Sequence, residues 1–440
     1  MYRSIVLFCF ALSVGCEGCN DLNKEDKESS ALTPRPSLSE SQVLLKKSNA
    51  KQSGNHPEET IESDGIGDLE APKKVENAQR VAKVPEHKQA VVLLHGLARI
   101  SSDFACMIKA FKKMFPYATI IALKCLNKDS NKGKFSSPSS KLSIKEQAKE
   151  AYEEIKSAVP YGSHLVLVGH SQGGLRAFSL IKEYGSDLKN EYGIVIDHLI
   201  TIATPWKGAP IFDHINDVKK FNQKFGEIEE DLNAIQAGYA DAVRGYFFKK
   251  FPNLAENHPT LYKNLALVAM KVSEVMRMLR DIKWISTQGV LDLNPKSDFI
   301  SHYVASGLKE IDVPITAIAG VLTDFSKLFE SFPFFIEGPR LQKLNATYAE
   351  LIGGDPNCAH DMLLPVDTQH AVGLAPKNFK CITVEGACHG NKVGFSVKRG
   401  LSELNNKEVI QKVVESIEET FYEQKEKEGI EKGAEAPLAA

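Results

Sequence analysis

Residues 164–174, His-Leu-Val-Leu-Val-Gly-His-Ser-Gln-Gly-Gly, constrain this chain more than any other stretch. Residues 165–168 form an apolar run of the length and content of a buried strand. It stops at Gly169-His170-Ser171-Gln172-Gly173. That G-x-S-x-G spelling marks a sharp strand-to-helix turn that lifts a serine hydroxyl into the open. The glycines follow from the crowding, because a side chain at 169 or 173 would collide with the neighbouring strand or helix. A helix predicted over 175–184 begins just after the serine and turns its positive end toward developing negative charge. Ser171 is therefore a candidate nucleophile, and a turn kept only for packing is the alternative.

Around this turn, strands and helices alternate. Apolar runs at 90–95, 118–123, 194–203, 313–319 and 379–385 predict strands. Between them, 104–115 and the stretch after Ser143 predict helices, the second opened by a capping box of Ser143 and Glu146. A last helix is predicted over 407–423. The alternation reads as an α/β fold, a mostly parallel sheet flanked by helices on both faces. Reactive groups in such sheets gather at the carboxyl ends of the strands. His95-Gly96, Ser171 and Thr204 all fall there.

The pattern breaks twice. Residues 211–310 carry helical patterning and predict a helical cap inserted above the active edge of the sheet. Its Met270, Met276, Met278 and Trp284 read as cap core, or as a surface that also cradles an acyl chain. Residues 321–357 carry Phe325, Phe329, Phe332, Phe334 and Phe335, which fit either a lid that touches lipid or a loop packed on the cap.

The N-terminus reads as an export signal, with a positive start at Met1-Tyr2-Arg3 and an apolar core over 5–14. Cys16 after Gly15 resembles the end of a bacterial lipoprotein signal, in which Cys16 would be acylated. An ordinary cleaved signal is the alternative. Domain boundaries follow: signal 1–16, a disordered linker 17–86 without aromatic residues, a folded domain 87–424 and a disordered tail 425–440. The expected location is exported, either as a membrane-anchored lipoprotein or as a secreted or periplasmic protein. Export would permit disulfides, with Cys106–Cys125, or Cys358 with Cys381 or Cys388, as candidate pairs. A net charge of −2 and the lack of a basic patch argue against nucleic acid as a partner.

A serine nucleophile needs a base, and the base needs an orienting acid. In chains with this elbow the order is Ser, then Asp or Glu, then His. His389 lies just past the last predicted strand and is the candidate base, ahead of His370 and His360. Asp361 is the candidate acid, with Asp324, Asp355 and Asp367 as alternatives. Backbone N–H groups of Leu97 and Gln172 are candidates for an oxyanion hole, and the His95 ring is read as bracing its loop.

These residues resemble the α/β-hydrolase superfamily, and within it the bacterial triacylglycerol lipases and esterases. The Val-Leu-Leu-His-Gly-Leu of 92–97 is similar to their oxyanion strand, and 168–174 to their elbow. Thr204-Pro-Trp-Lys-Gly-Ala-Pro210 resembles their T-P-H-x-G turn, with Trp206 in place of His. Residues 292–299 resemble the cap-exit segment, and 361–366 the D-G-x-V-P acid loop, with Met362 in place of Gly. The resemblance implies the α/β-hydrolase fold and a triad of Ser171, Asp361 and His389, with Leu97 and Gln172 lining the oxyanion hole. It also implies a carboxylic ester hydrolase, a lipase or esterase acting on lipid or other acyl esters, that needs no cofactor and no metal. A palmitoyl-type thioesterase, a phospholipase or an acyltransferase shares the same elbow. A hydrolase-like surface protein that binds lipid or a partner without turnover is the reading outside enzymes.

Overall fold

The computed structural model describes residues 88–97, 99–127, 138–215, 287–324, 338–389 and 400–434, together with 223, 226, 227, 230, 231 and 327. The predicted signal and linker therefore lie outside the described residues, as do most of the predicted cap and most of the phenylalanine-rich segment.

Six parallel strands form the sheet. They are β1 (Lys88–Leu94), β2 (Thr119–Ala122), β3 (Ser163–His170), β4 (Val195–Ile202), β5 (Ile315–Val321) and β6 (Phe379–Glu385), in the spatial order β2-β1-β3-β4-β5-β6. The order reverses between β1 and β3, and this switch point is where open parallel sheets place their sites. Between the strands run helices α1 (Ala105–Met114), α2 (Ile144–Ala158) and α3 (Gln172–Tyr192), followed later by α4 (Gly338–Gly353) and α5 (Lys407–Ala434).

Strand alternation divides the core into two layers. Ala90, Val92, Leu94, Leu165 and Leu167 belong to the core that also contains Ile144, Ala148, Ile155 and Phe178 of α2 and α3. The intervening Val91, Leu93, Val166 and Val168 are equally buried and turn the other way. On that second face α1 meets α5, where the Phe115 and Phe421 rings make an edge-on contact at 5.6 Å. On the first face, Tyr152 of α2 stacks on Tyr184 of α3 at 4.8 Å.

The predicted capping box is present at α2, with Glu146 N–H donating to Ser143 Oγ and Ser143 N–H to Glu146 Oε2. Asp292, buried in the cap-exit segment, accepts a further N–H from Ile144 at 2.7 Å. The long segment between β4 and β5 is thus tied to a helix start from which it is distant in sequence. Its two ends are also pinned together, since Ala209 N–H donates to the Leu293 carbonyl at 2.8 Å.

Three expectations need correction. Helix α3 runs on to Tyr192, where Gly193 in a left-handed conformation ends it, well past the predicted stop at 184. Helix α5 reaches Ala434, so the predicted disordered tail is helical over much of its length. The run Glu-Gln-Lys-Glu-Lys-Glu lacks apolar residues for packing but is built from strong helix formers with alternating charge, which prolongs a helix already nucleated by its buried first turns. The five described cysteines, Cys106, Cys125, Cys358, Cys381 and Cys388, are all free thiols, so none of the candidate disulfides is formed. Cys358 and Cys381 instead point their thiols at the carbonyls of Ala349 and His370.

Candidate active site

Ser171 stands between β3 and α3 with φ 55° and ψ −129°, a backbone conformation that few residues other than glycine adopt. The turn holds because both sides are anchored. Ser171 N–H donates to the Ile202 carbonyl of β4 at 2.8 Å, and its own carbonyl accepts from Gly174 N–H and from Thr204 Oγ1. Space is the second requirement. A Cβ on Gly173 would overlap the Leu94 carbonyl oxygen of β1, and one on Gly174 would overlap the Thr204 hydroxyl. This is the crowding expected of the G-x-S-x-G spelling, here extended to Thr204 and the end of β4.

His389 follows β6 and is 2% exposed. Its Nε2 lies 3.0 Å from Ser171 Oγ, and its Nδ1 lies 2.9 Å from Asp361 Oδ2. Asp361 is fully buried. Its Oδ1 accepts N–H groups from Leu363 and Leu364 at 2.8 and 2.7 Å, which locks the carboxylate in orientation. The backbones join as well, with His389 N–H donating to the Asp361 carbonyl at 2.7 Å.

The sequence from Val321 to Asp361 is long, yet Asp361 stands at the end of β5. The reason is that Leu322, one residue past β5, donates its N–H to the His360 carbonyl at 2.7 Å. The excursion through α4 therefore closes on itself, and Gln369 braces the returning loop to Gly320 and Leu364. Met362 adopts φ 75°, the left-handed conformation for which glycine is the natural residue.

The alternatives lie elsewhere. Asp324 accepts from Asn345, Asp355 from the Asn357 N–H, and His370 faces the Ile382 carbonyl. Asp367 sits in the short helix Val366–Gln369. His360 accepts the Met362 N–H within the acid loop, and burial pushes its pKa down to about 4. His95 is buried with its Nδ1 against the Gly96 carbonyl. Burial, then the nearby Arg176 charge, pushes its pKa down to about 3, so it braces its loop as a neutral ring.

The loop after β1 lies against the serine. A Cβ on Gly96 would stand 2.9 Å from Ser171 Cβ and 3.4 Å from Oγ, which puts the Gly96-Leu97 backbone beside the hydroxyl. Gln172 is the first residue of α3, a position whose N–H an α-helix leaves without an internal partner. Its side chain does something the sequence did not suggest. Gln172 Nε2 donates to the Gly289 carbonyl at 2.7 Å, tying the elbow to the short helix just before the cap-exit segment. Trp206 is fully buried between the Phe178 and Phe379 rings and serves as packing.

One residue escaped the sequence reading. Glu403, fully buried, faces His170 Nε2 at 3.2 Å and lies 3.9 Å from His389 Nδ1, the same ring nitrogen that Asp361 Oδ2 meets at 2.9 Å. Burial first, then the Asp361 charge, raises its pKa well above the usual carboxylate range. No local motif marks it. Ligand atoms of His170, His389 and Glu403 fall within 4.8 Å of one another, the one described grouping with the donors for a metal ion. Its His389, though, is already engaged with Asp361, and His170 is held neutral by burial.

A parallel sheet with this switch point, a strained serine at a strand-to-helix elbow, and an acid and a histidine from later loops in that order together decide the fold. The chain has the α/β-hydrolase fold. A model of the palmitoyl protein thioesterase family matches residues 90–251. No curated protein matches over the whole chain or a part of it. Among solved structures, the chain is similar to MenH from S. aureus, at 14% identity over 76% of this chain and 96% of that one, with a TM-score of 0.34. It is similar to a mature lipase from Bacillus licheniformis, at 13% identity over 71% and 90%, with a TM-score of 0.37. A phospholipase from Legionella pneumophila aligns at 9% identity over 75% of this chain and 60% of that one, with a TM-score of 0.42. The family match and the fold point to an enzyme of the hydrolase type.

Proposed function

We propose that this α/β-hydrolase cleaves acyl esters or thioesters through an acyl-enzyme on Ser171, with His389 as base and Asp361 as the acid that orients it. The observation that carries the reading is the unbroken relay from Asp361 Oδ2 through the His389 ring to Ser171 Oγ, at 2.9 and 3.0 Å. His389 takes the serine proton as Oγ attacks the acyl carbonyl. The backbone N–H groups of Leu97 and Gln172 are the donors assigned to the oxyanion, and each such donor typically stabilises the transition state by about 2.7–4 kcal/mol. Collapse of the intermediate expels the alcohol or thiol, which takes its proton from His389. Water, deprotonated by the same imidazole, then releases the acid and restores the serine.

The sequence motifs favour an oxygen ester of a lipid. The thioesterase family match over 90–251, which spans the elbow and the loop after β1, favours an acyl thioester as the second reading. Both have a long acyl chain as the part recognised, and an exported protein tethered through its N-terminus would meet either at a membrane surface.

A fluorophosphonate probe tests the catalytic claim. Wild-type protein should label and Ser171→Ala should not, whereas a folded wild type that stays unlabelled sinks the proposal. Matched oxygen esters and thioesters of rising acyl length then decide the leaving group. A rate that does not change with chain length counts against an acyl-binding enzyme.

A further inference from the structure

We propose that Glu403 shares one proton with Asp361 beneath His389, as a positioning residue for the triad acid and its replacement when that acid is removed. The inference rests on the triad reading above. Glu403 reaches this place through backbone pairing. Cys388 N–H donates to the Leu401 carbonyl at 2.7 Å and Glu403 N–H to the Cys388 carbonyl at 3.0 Å, so the loop that carries His389 is zipped to the residues that carry Glu403. β5 leaves room for it, because a Cβ on Gly320 would overlap the Glu403 carboxyl.

Two fully buried carboxyls that face one imidazole nitrogen, at 2.9 and 3.9 Å, do not both ionise, so the pair keeps one proton. Geometry decides which member holds it. Asp361 receives two backbone N–H groups on one oxygen and faces the imidazole with the other, and all three favour its charged form. Glu403 faces Asp361 and His170, and the His170 ring is kept neutral, first by burial and then by the neighbouring His389. The proton therefore sits on Glu403, which donates it to the Asp361 carboxylate. The other Glu403 oxygen, Oε2, accepts from His170 Nε2. Asp361 is thus held from a third side, and His170, the residue before the nucleophile, is connected to the acid as well as to the elbow.

The same arrangement supplies a reserve. Glu403 Oε2 lies 3.9 Å from His389 Nδ1, too long for a hydrogen bond while Asp361 occupies that position. Shortening Asp361 removes both the competitor and the charge that keeps Glu403 protonated. Glu403 can then ionise and take over the imidazole N–H.

Two measurements on the full chain test this. Infrared difference spectra at neutral pH, wild type minus Glu403→Gln, should contain the carbonyl band of a protonated carboxylic acid, and its absence overturns the shared proton. Fluorophosphonate labelling rates should fall about a hundredfold in Asp361→Ala, against the about 10⁴-fold loss expected of a triad left without a working acid. Asp361→Ala/Glu403→Gln should fall the rest of the way. Equal rates in Asp361→Ala and the double variant overturn the replacement role. Failure of the triad reading looks different, since wild type would then not label at all while the infrared band still decides where the proton lies.

Discussion

Residues 169–174 and residues 360–365 each present one side chain to His389, and they do so with different resources. The elbow is local. Two consecutive elements, β3 and α3, meet at Ser171, and glycines at 169, 173 and 174 let backbones pass within contact distance of one another. The acid loop is the return leg of a long excursion. It is held by the Leu322–His360 hydrogen bond, by Gln369 and by the Tyr348 hydroxyl on the Met362 carbonyl. Both contain a left-handed residue that is not glycine, Ser171 in one and Met362 in the other. In the elbow, absent side chains make room and the strain falls on Ser171 itself. In the acid loop, a large side chain fills the core and the strain falls on Met362, the neighbour of Asp361. One region is specified by what it lacks, the other by what encloses it.

The largest effect should come from adding atoms where the elbow has none. Gly173→Ala drives a methyl into the carbonyl oxygens of Leu94, the last residue of β1, and of His95 just after it, and neither backbone can step aside without disturbing the sheet. The expected loss is at or above the about 1–3 kcal/mol typical of overpacking, read as a large drop in the thermal midpoint and in soluble yield. Gly354→Ala, on the acid-loop side, meets nothing within 4 Å and carries only the strain of its φ of +80°. It should lose about 1 kcal/mol. Comparable melting points for the two variants would refute the claim that the elbow is governed by close packing.

This contrast also explains what was legible in the sequence. The elbow is a local object, so the apolar run, the glycines and the helix after them announced Ser171 directly. His389 followed from its place after the last strand, and β6 was predicted with the bounds it has. Asp361 was harder, because its position depends on a bond from Leu322 to His360 that no local pattern records. Glu403 was invisible. It lies in a short loop without a motif, and its burial depends on the pairing of 401–403 with 387–389 and on the missing side chain at Gly320. The helix lengths erred where charge-rich sequence was taken for an end rather than a continuation.

Acid should weaken both regions through the same mechanism. His170 at the elbow and His360 in the acid loop are buried and held neutral, as is His198 of β4, which faces Thr420 of α5 and whose pKa burial lowers to about 4. A folded-state pKa below the unfolded value of about 6.5 means that the unfolded chain binds protons that the fold refuses. Stability from these groups is complete above pH 6.5 and is lost as pH falls toward 4. Glu403 works in the opposite sense. Its raised pKa contributes stability at low pH that fades as pH rises above the ordinary carboxylate value. Urea unfolding should therefore show the chain losing stability between pH 6.5 and pH 5, with His360 contributing about 2 kcal/mol of the loss. In His360→Gln, where an amide oxygen can still accept the Met362 N–H, that share of the slope should disappear. An unchanged slope would mean that the ring is already charged in the folded protein.

The smallest effect separates the two kinds of strain most cleanly. Met362 is fully buried, so replacing it with Ala should cost the about 2–5 kcal/mol of a large-to-small core substitution. Replacing it with Gly removes one methyl more and ordinarily costs further, through the greater freedom of the unfolded glycine. At φ 75° the balance reverses. A left-handed Ala retains a steric penalty of about 1–2 kcal/mol that Gly does not have, and this exceeds the roughly 0.4–1 kcal/mol of added unfolded-state entropy. Met362→Gly should thus be more stable than Met362→Ala by a few tenths to 1 kcal/mol on this balance, and chemical denaturation of the two variants measures the difference. If Ala is the more stable, the loop relaxes out of the left-handed conformation once the side chain is gone. The conformation at 362 would then be imposed by the buried methionine rather than by the hydrogen bonds that Met362 donates to His360 and accepts from Tyr348.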